Sequence, residues 1–156
     1  MYSFSKKKNF MNEALNLAKS AFQAGEVPVG AIIVDSEGNV LSKSENRMIR
    51  DSDQTSHAEL ICIKKAIKTT GMSRLINCDI WVTLEPCIMC AGAIIQARLR
   101  RVYFGAFDQK FGAIENGPCL FHSKNINHRP EVYGGIKCKI SKKLLKDFFK
   151  FKRQNL

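Results

Sequence analysis

Apolar residues recur along this chain with two different periods. Between residues 9 and 23, Phe10, Ala14, Leu17, Ala18, Ala21 and Phe22 fall at helical spacing, and Ala24, Gly25 and Glu26 close that helix. Residues 29–34 are continuously apolar, which predicts a buried strand, and residues 40–44 return antiparallel after a turn over 35–39. A polar, loop-like stretch over 47–56 leads to a helix over 57–69, with Thr55 or Ser56 as its N-cap and Glu59 in its first turn. Residues 79–84 predict another buried strand, residues 87–98 an apolar helix, and residues 101–105 a fourth strand. The stretch 106–130 reads mostly as loop with room for a short helical piece, and 131–133 as a fifth strand. A helix over 141–153 places Leu144, Leu145, Phe148 and Phe151 on one face and Lys142, Lys143, Lys146, Lys150 and Arg153 on the other. Phe149 lies on the border and Lys152 inside the apolar arc. Alternating helices and strands predict an α/β layered domain, and no linker, repeat or low-complexity segment divides residues 1–156.

The amount of chain, 156 residues, suits one domain with the basic helix at its end. Hydrophobic residues make up 45% and charged ones 25%, which excludes a disordered chain, a collagen and a coiled coil. No apolar run approaches the roughly 20 residues of a membrane span. No long apolar stretch follows Lys6, Lys7 and Lys8, which argues against a secretory signal and for the cytoplasm. The net charge is +11, so a polyanion is the expected partner, with nucleic acid ahead of an anionic membrane surface. The last 20 residues hold eight Lys or Arg and one acid, Asp147. That helix can be read as a solvated packing helix or as a polyanion-binding face. Six cysteines in a reducing compartment need not pair, and Cys62 and Cys78 sit in apolar runs as core residues.

Two short motifs carry the chemistry. His57-Ala58-Glu59 alone means little, and Cys87-Ile88-Met89-Cys90 alone suits a zinc knuckle, a redox pair or chance. Each follows a loop and opens a helix, so together they describe one site. Cys87 and Cys90, three apart on a first turn, face the same way. Pro86 suits the strand-to-helix entry. Two converging helix N-termini favour thiolates. Ligands His57, Cys87 and Cys90 suit tetrahedral Zn²⁺ and leave a fourth position for water, which ionises near neutral pH. Glu59 is then free to move protons. A structural zinc would need a fourth ligand, and His122 and His128 are distant in the chain. A redox pair would not need the His-x-Glu triplet.

The pairing of His57-Ala58-Glu59 with Pro86-Cys87-x-x-Cys90 resembles the zinc-dependent cytidine/deoxycytidylate deaminase superfamily. Residues 26–31 and 82–93, Asn46-Arg47, Asp108, Asn127-His128-Arg129 and Asp147-Phe148-Phe149 are similar to its bacterial tRNA-specific adenosine deaminase branch over essentially the whole chain. The resemblance implies a three-layer α/β/α cytidine-deaminase-like fold with a mixed five-stranded sheet. It implies a homodimer with one zinc per subunit that converts adenosine to inosine at the wobble position of a tRNA anticodon, chiefly in an arginine tRNA. In that scheme zinc hydroxide attacks the purine carbon bearing the amino group, and Glu59 shuttles the protons. Asn46 contacts the flipped base or its sugar. Val27, Pro28, Val29 and Gly30, with Leu84, Glu85 and Pro86, line the pocket. Asp108, Asn127 and Phe149 match anticodon-loop contacts. The chain departs from the branch at Gln54 and Ser56, at Ser44-Glu45 and across residues 114–118.

Two other functions fit parts of this pattern. A small-molecule deaminase acting on guanine, cytosine or deoxycytidylate would share the zinc site without needing the charge. A non-catalytic RNA-binding subunit would not need Glu59, which is present.

Overall fold

The structure is a computed structural model that describes the backbone of residues 4–156 and the side chains of residues 10–156. Its elements are α1 (Phe4–Gln23), β1 (Gly30–Val34), β2 (Val40–Glu45), α2 (Ala58–Thr70), β3 (Asp79–Leu84), α3 (Ile88–Gln96), β4 (Arg101–Ala106), a short 3₁₀ turn (Leu120–His122), β5 (Glu131–Tyr133) and α4 (Cys138–Gln154). The five strands form one sheet in the order β2-β1-β3-β4-β5. β1 runs antiparallel to β2 and β3, whereas β3, β4 and β5 are mutually parallel, so the sheet is mixed as expected.

The period-2 alternation within β1 explains the layers. Ala31 and Ile33 turn toward α2 and α3, joining Ile80, Val82, Val102, Phe104, Cys62 and Ile94 in one core. Ile32 and Val34 turn the other way, against Phe10, Met11, Ala14 and Leu15 of α1 and against Trp81 and Tyr103. Both faces are covered, which is why β1 and β3 read as continuous apolar runs. On the α1 face Trp81 and Tyr103 stack at 3.9 Å between centroids, and Tyr103 stacks on Tyr133 at 5.0 Å. Gly30 marks the closest approach of strand and helix, because a Cβ there would lie 2.0 Å from the Ala14 carbonyl oxygen.

Most boundaries agree with the pattern to within three residues. At the start of α2 the expected caps are not used. His57 is the N-cap, in an extended conformation. The Thr55 hydroxyl donates to Asp53 at 2.7 Å, and the Ser56 hydroxyl donates to Asp51 and Asp53. Asn46 does the capping from 12 residues upstream, its Oδ1 accepting from the Ala58 amide at 2.8 Å. α4 begins three residues before the expected start. Phe148 is buried, and the predicted face partner Phe151 is 52% exposed although its ring lies 6.2 Å from that of Phe22. Lys152 enters the apolar arc by lying over the Phe148 ring, 5.5 Å from its centroid. Among the described residues no helix is long and apolar enough to cross a membrane.

Candidate active site

The parallel strands β3 and β4 end side by side at Leu84 and Ala106. Open α/β sheets bind ligands beyond the carboxyl ends of such strands. Here β3 runs through Glu85 and Pro86 into the Cys87 N-cap of α3, while α2 starts at His57. The two helix starts bring the side chains together. His57 Nδ1 lies 3.6 Å from Cys87 Sγ and 3.5 Å from Cys90 Sγ. All three donor atoms lie within 4.8 Å of one another. Ordinary Zn–N and Zn–S bonds in a tetrahedron put nitrogen and sulfur roughly 3.6 Å apart. One imidazole and two thiols at that spacing therefore fit zinc.

The thiols are unequal. Hydrogen bonding from Cys90, with burial acting against it and His57 assisting, holds the Cys87 thiol down to about 4. The bond to Cys87 and burial push Cys90 upward. The bond to Cys87 raises His57, against its partial burial. One thiolate is thus already favoured, and a cation is what would bring the second proton off.

Glu59 is 4% exposed and lines the same cavity, whose volume is about 870 Å³. Burial pushes its carboxyl up to about 7, although hydrogen bonding and the nearby imidazole pull the other way. A carboxyl poised near neutrality can take and return a proton.

The cavity wall includes Val27, Val29, Asn46, Leu84, Glu85, Asp108 and Phe149 of the expected residues. Asn46 donates from Nδ2 to the Val27 carbonyl while it caps α2, so one amide fixes both the entry loop and the His57 helix. Pro28, Gly30 and Pro86 lie outside the wall. Gly30 is packed against α1, as described above. Asn127 also lies outside it. Its carbonyl accepts from Arg98, His128 Nε2 bonds the Leu99 carbonyl at 2.6 Å, and Arg129 reaches the Phe121 and Ser123 carbonyls. That tripeptide precedes β5 and clamps the loops at the amino ends of β4 and β5, the opposite end of the parallel strands from the cavity.

Two residues that carry much of the site escaped the sequence reading. Glu26 is fully buried and accepts the backbone N–H groups of Ile49 and Arg50 at 3.0 and 2.8 Å, pinning the loop beside Asn46. Phe111 stands in the cavity wall at 66% exposure. Lys142 and Leu145 of α4 also line the cavity, so the basic helix contributes to the site itself. Glu85 does more than its backbone position promised. Its carboxylate accepts N–H groups of Asp108, Glu115 and Asn116 and the Asn116 side-chain amide, at 2.7–3.0 Å. The atypical segment 114–118 is thereby tied to the site.

A mixed sheet with an N,S,S donor group at two helix starts and a buried glutamate beside it defines a zinc-binding deaminase domain. The model of the cytidine and deoxycytidylate deaminase zinc-binding region matches residues 4–106. A tRNA-specific adenosine deaminase of Rickettsia bellii is 48% identical over 141 residues, which is 90% of this chain and 97% of that protein. A solved structure from a study of A-to-I editing by tRNA:A34 deaminases at the wobble position of transfer RNA superimposes with a TM-score of 0.86. It shares 44% identity and covers 88% of this chain and 99% of the other. A guanine deaminase from Bacillus subtilis matches with a TM-score of 0.60 and 37% identity, over 64% of this chain and 63% of its own. The chain belongs to the zinc-binding cytidine and deoxycytidylate deaminase family and, within it, to the tRNA-specific adenosine deaminases.

Proposed function

We propose that this protein hydrolyses adenosine to inosine and ammonia at the wobble position of a tRNA anticodon, chiefly in an arginine tRNA. The observation that carries the reading is the composition of one cavity. His57, Cys87 and Glu59 line its floor, while Lys110, Lys142 and Phe149 line its wall. The relatives described above support the same substrate. Cationic and aromatic residues around the cavity suit a splayed RNA loop, whose phosphates and unstacked bases need both.

His57, Cys87 and Cys90 would hold the zinc, which when bound supplies a water that ionises near neutral pH. Glu59 takes the proton from that water. It delivers that proton to the purine ring nitrogen, then takes the remaining proton from the oxygen added to the ring carbon and passes it to the departing amine as the C–N bond breaks, so water and adenosine leave as inosine and ammonia. Asn46 and Val27 fix the entrance through their mutual hydrogen bond. Val29 and Leu84 supply apolar wall for the flipped base. Unstacking that base costs a few kcal/mol, less in an anticodon loop than in a duplex. Asp108 and Phe149 lie where the rest of the loop would pass. Pro28, Gly30 and Pro86 serve as backbone supports of the pocket, and Asn127 as part of the clamp on the far side.

The same reading makes the protein a cytoplasmic homodimer with one zinc per subunit. Six free cysteines suit a reducing compartment, and Ile88, 60% exposed beside Cys87, offers apolar surface for a second copy. Sedimentation tests the dimer.

The deciding experiment compares zinc-loaded protein on unmodified arginine tRNA carrying wobble adenosine with free guanine, cytidine and deoxycytidylate. Inosine in the tRNA alone is the expected result. Ammonia from guanine alone would place the chain with the guanine deaminases and remove the RNA from the reading.

A further inference from the structure

Phe111 is the most exposed aromatic ring among the described side chains, at 66%. It stands in the wall of the cavity that holds His57, Glu59 and Cys87. An exposed phenylalanine on a loose loop can fold down onto apolar surface, but this one is held out. The Lys110 and Phe111 amides both donate to Asp108 Oδ1 at 3.0 Å. The Gly112 amide donates to the Asp108 carbonyl at 2.9 Å. The Asp108 amide in turn donates to Glu85 Oε2 at 2.9 Å. Gly112 forms a β-bridge with Cys87, and a Cβ on Gly112 would come 2.3 Å from Glu85 Oε2. The turn that carries Phe111 is therefore fastened to the buried carboxylate and to a metal ligand. A ring displayed on a fastened turn is preorganised for a partner, because little entropy remains to be lost on contact.

Charge identifies the partner. Lys110 Nζ lies 5.3 Å from the Phe111 ring centroid, and Lys142 lines the same wall. A polyanion with flat π-faces would be drawn to a ring flanked by two lysines.

Resting on the RNA reading above, we propose that Phe111 is the stacking platform for the base next to the reactive adenosine, with Lys110 on the adjoining phosphate. The ring acts as a positioning residue. It holds the neighbouring base while the target enters the cavity, and it makes no contact with the reacting atoms.

The test is a double cycle with zinc-loaded protein and a labelled anticodon stem-loop. Wild type, Phe111→Leu and Phe111→Trp are compared on the intact loop and on loops with an abasic sugar at each position flanking the reactive adenosine. Phe111→Leu is expected to raise Kd and KM about tenfold with kcat unchanged, and Phe111→Trp to restore both. One abasic loop is expected to bind wild type and Phe111→Leu alike, because the base that Phe111 holds is already gone. Three results would overturn the proposal: Phe111→Leu binding the intact loop as wild type does, a penalty of equal size on both abasic loops, or a change in sedimentation of Phe111→Leu, which would place the ring between copies. If wild type itself neither binds the stem-loop nor forms inosine, the RNA reading fails and this proposal falls with it. If wild type edits and Phe111→Leu is unaffected, the stacking proposal alone fails.

Discussion

Glu59 and Glu85 lie in the same cavity wall, at 4% and 2% exposure, and they behave in opposite ways. Burial raises the carboxyl of Glu59 to about 7. Burial acts in the same direction on Glu85, yet its carboxyl lies below the ordinary range, because backbone N–H groups of Asp108, Glu115 and Asn116 and the Asn116 amide outweigh it. The difference is the number of donors aimed at each group. A buried carboxylate with several N–H partners is a structural anion, and one with few is a proton carrier. Burial alone therefore cannot sort catalytic from structural acids in this site.

The largest expected effect tests the carrier. Glu59→Ala should lower deamination by about 10³-fold, within the range for loss of a general acid–base group. Its zinc content should match wild type, since the donor set is His57, Cys87 and Cys90. Metal analysis beside a single-turnover assay checks both halves. A variant that has lost zinc would make Glu59 a ligand and dissolve the contrast with Glu85.

Glu85→Ala should act on the fold first. It strands the three backbone amides of Asp108, Glu115 and Asn116 in a half-buried place around the Glu85 carboxylate, and unpaired donors there are costly. A loss of about 3 kcal/mol in unfolding free energy is expected, read by urea denaturation of the zinc-loaded protein. Activity should fall mainly through KM, because the loop carrying Asp108 and Phe111 loosens while Glu59 is untouched. A stable variant with normal KM and collapsed kcat would instead assign Glu85 to the chemistry.

The sign of the Glu85 shift gives a smaller effect. A carboxyl lowered in the folded state stabilises the fold at pH values above its unfolded value, near 4.5. That contribution is lost as pH falls through the folded value, where both states are protonated. The stability advantage of wild type over Glu85→Gln should be about 2 kcal/mol at neutral pH and shrink steadily below about 4.5. Taking the difference between two zinc-loaded proteins cancels acid release of the metal, which both share. An advantage that grows toward low pH would contradict the donor count.

The local half of this contrast was readable in the sequence. His57 with Glu59, and Cys87 with Cys90, are close neighbours on single helix starts, so spacing alone exposes them. The strand Asp79–Leu84 was likewise legible, because a sheet covered on both faces writes continuous apolar runs, whereas the edge strand Glu131–Tyr133 is short and half-exposed and carries no such run. The structural half was hidden, because its partners are far apart in the chain. Glu85 meets amides 23 to 31 residues away. Glu26 meets Ile49 and Arg50, and Asn46 caps a helix 12 residues on. No periodicity records such pairings. The same distance effect hid the bonds around Asn127: His128 and Arg129 meet the Leu99, Phe121 and Ser123 carbonyls, and the Asn127 carbonyl accepts from Arg98, 29 residues away.

The smallest expected effect extends the comparison from the cavity floor to its rim. α4 can be a packing helix or a polyanion face, and the structure gives it both duties on different sides. Phe148 is buried and packs edge-on against Phe22, with ring centroids 5.4 Å apart, while Lys142 and Phe149 line the cavity. A lysine on a phosphate contributes by counterion release, so its loss should weaken RNA binding evenly and lower the slope of log Kd against log salt by about 1. Lys142→Ala should show that change. Lys143→Ala should show less, because Lys143 bonds Asp147 at 2.7 Å and lines no part of the cavity. Equal slopes for Lys142→Ala and wild type would return α4 to packing alone. Equal losses in both variants would make its charge diffuse, and the rim would then owe its specificity to its aromatic rings.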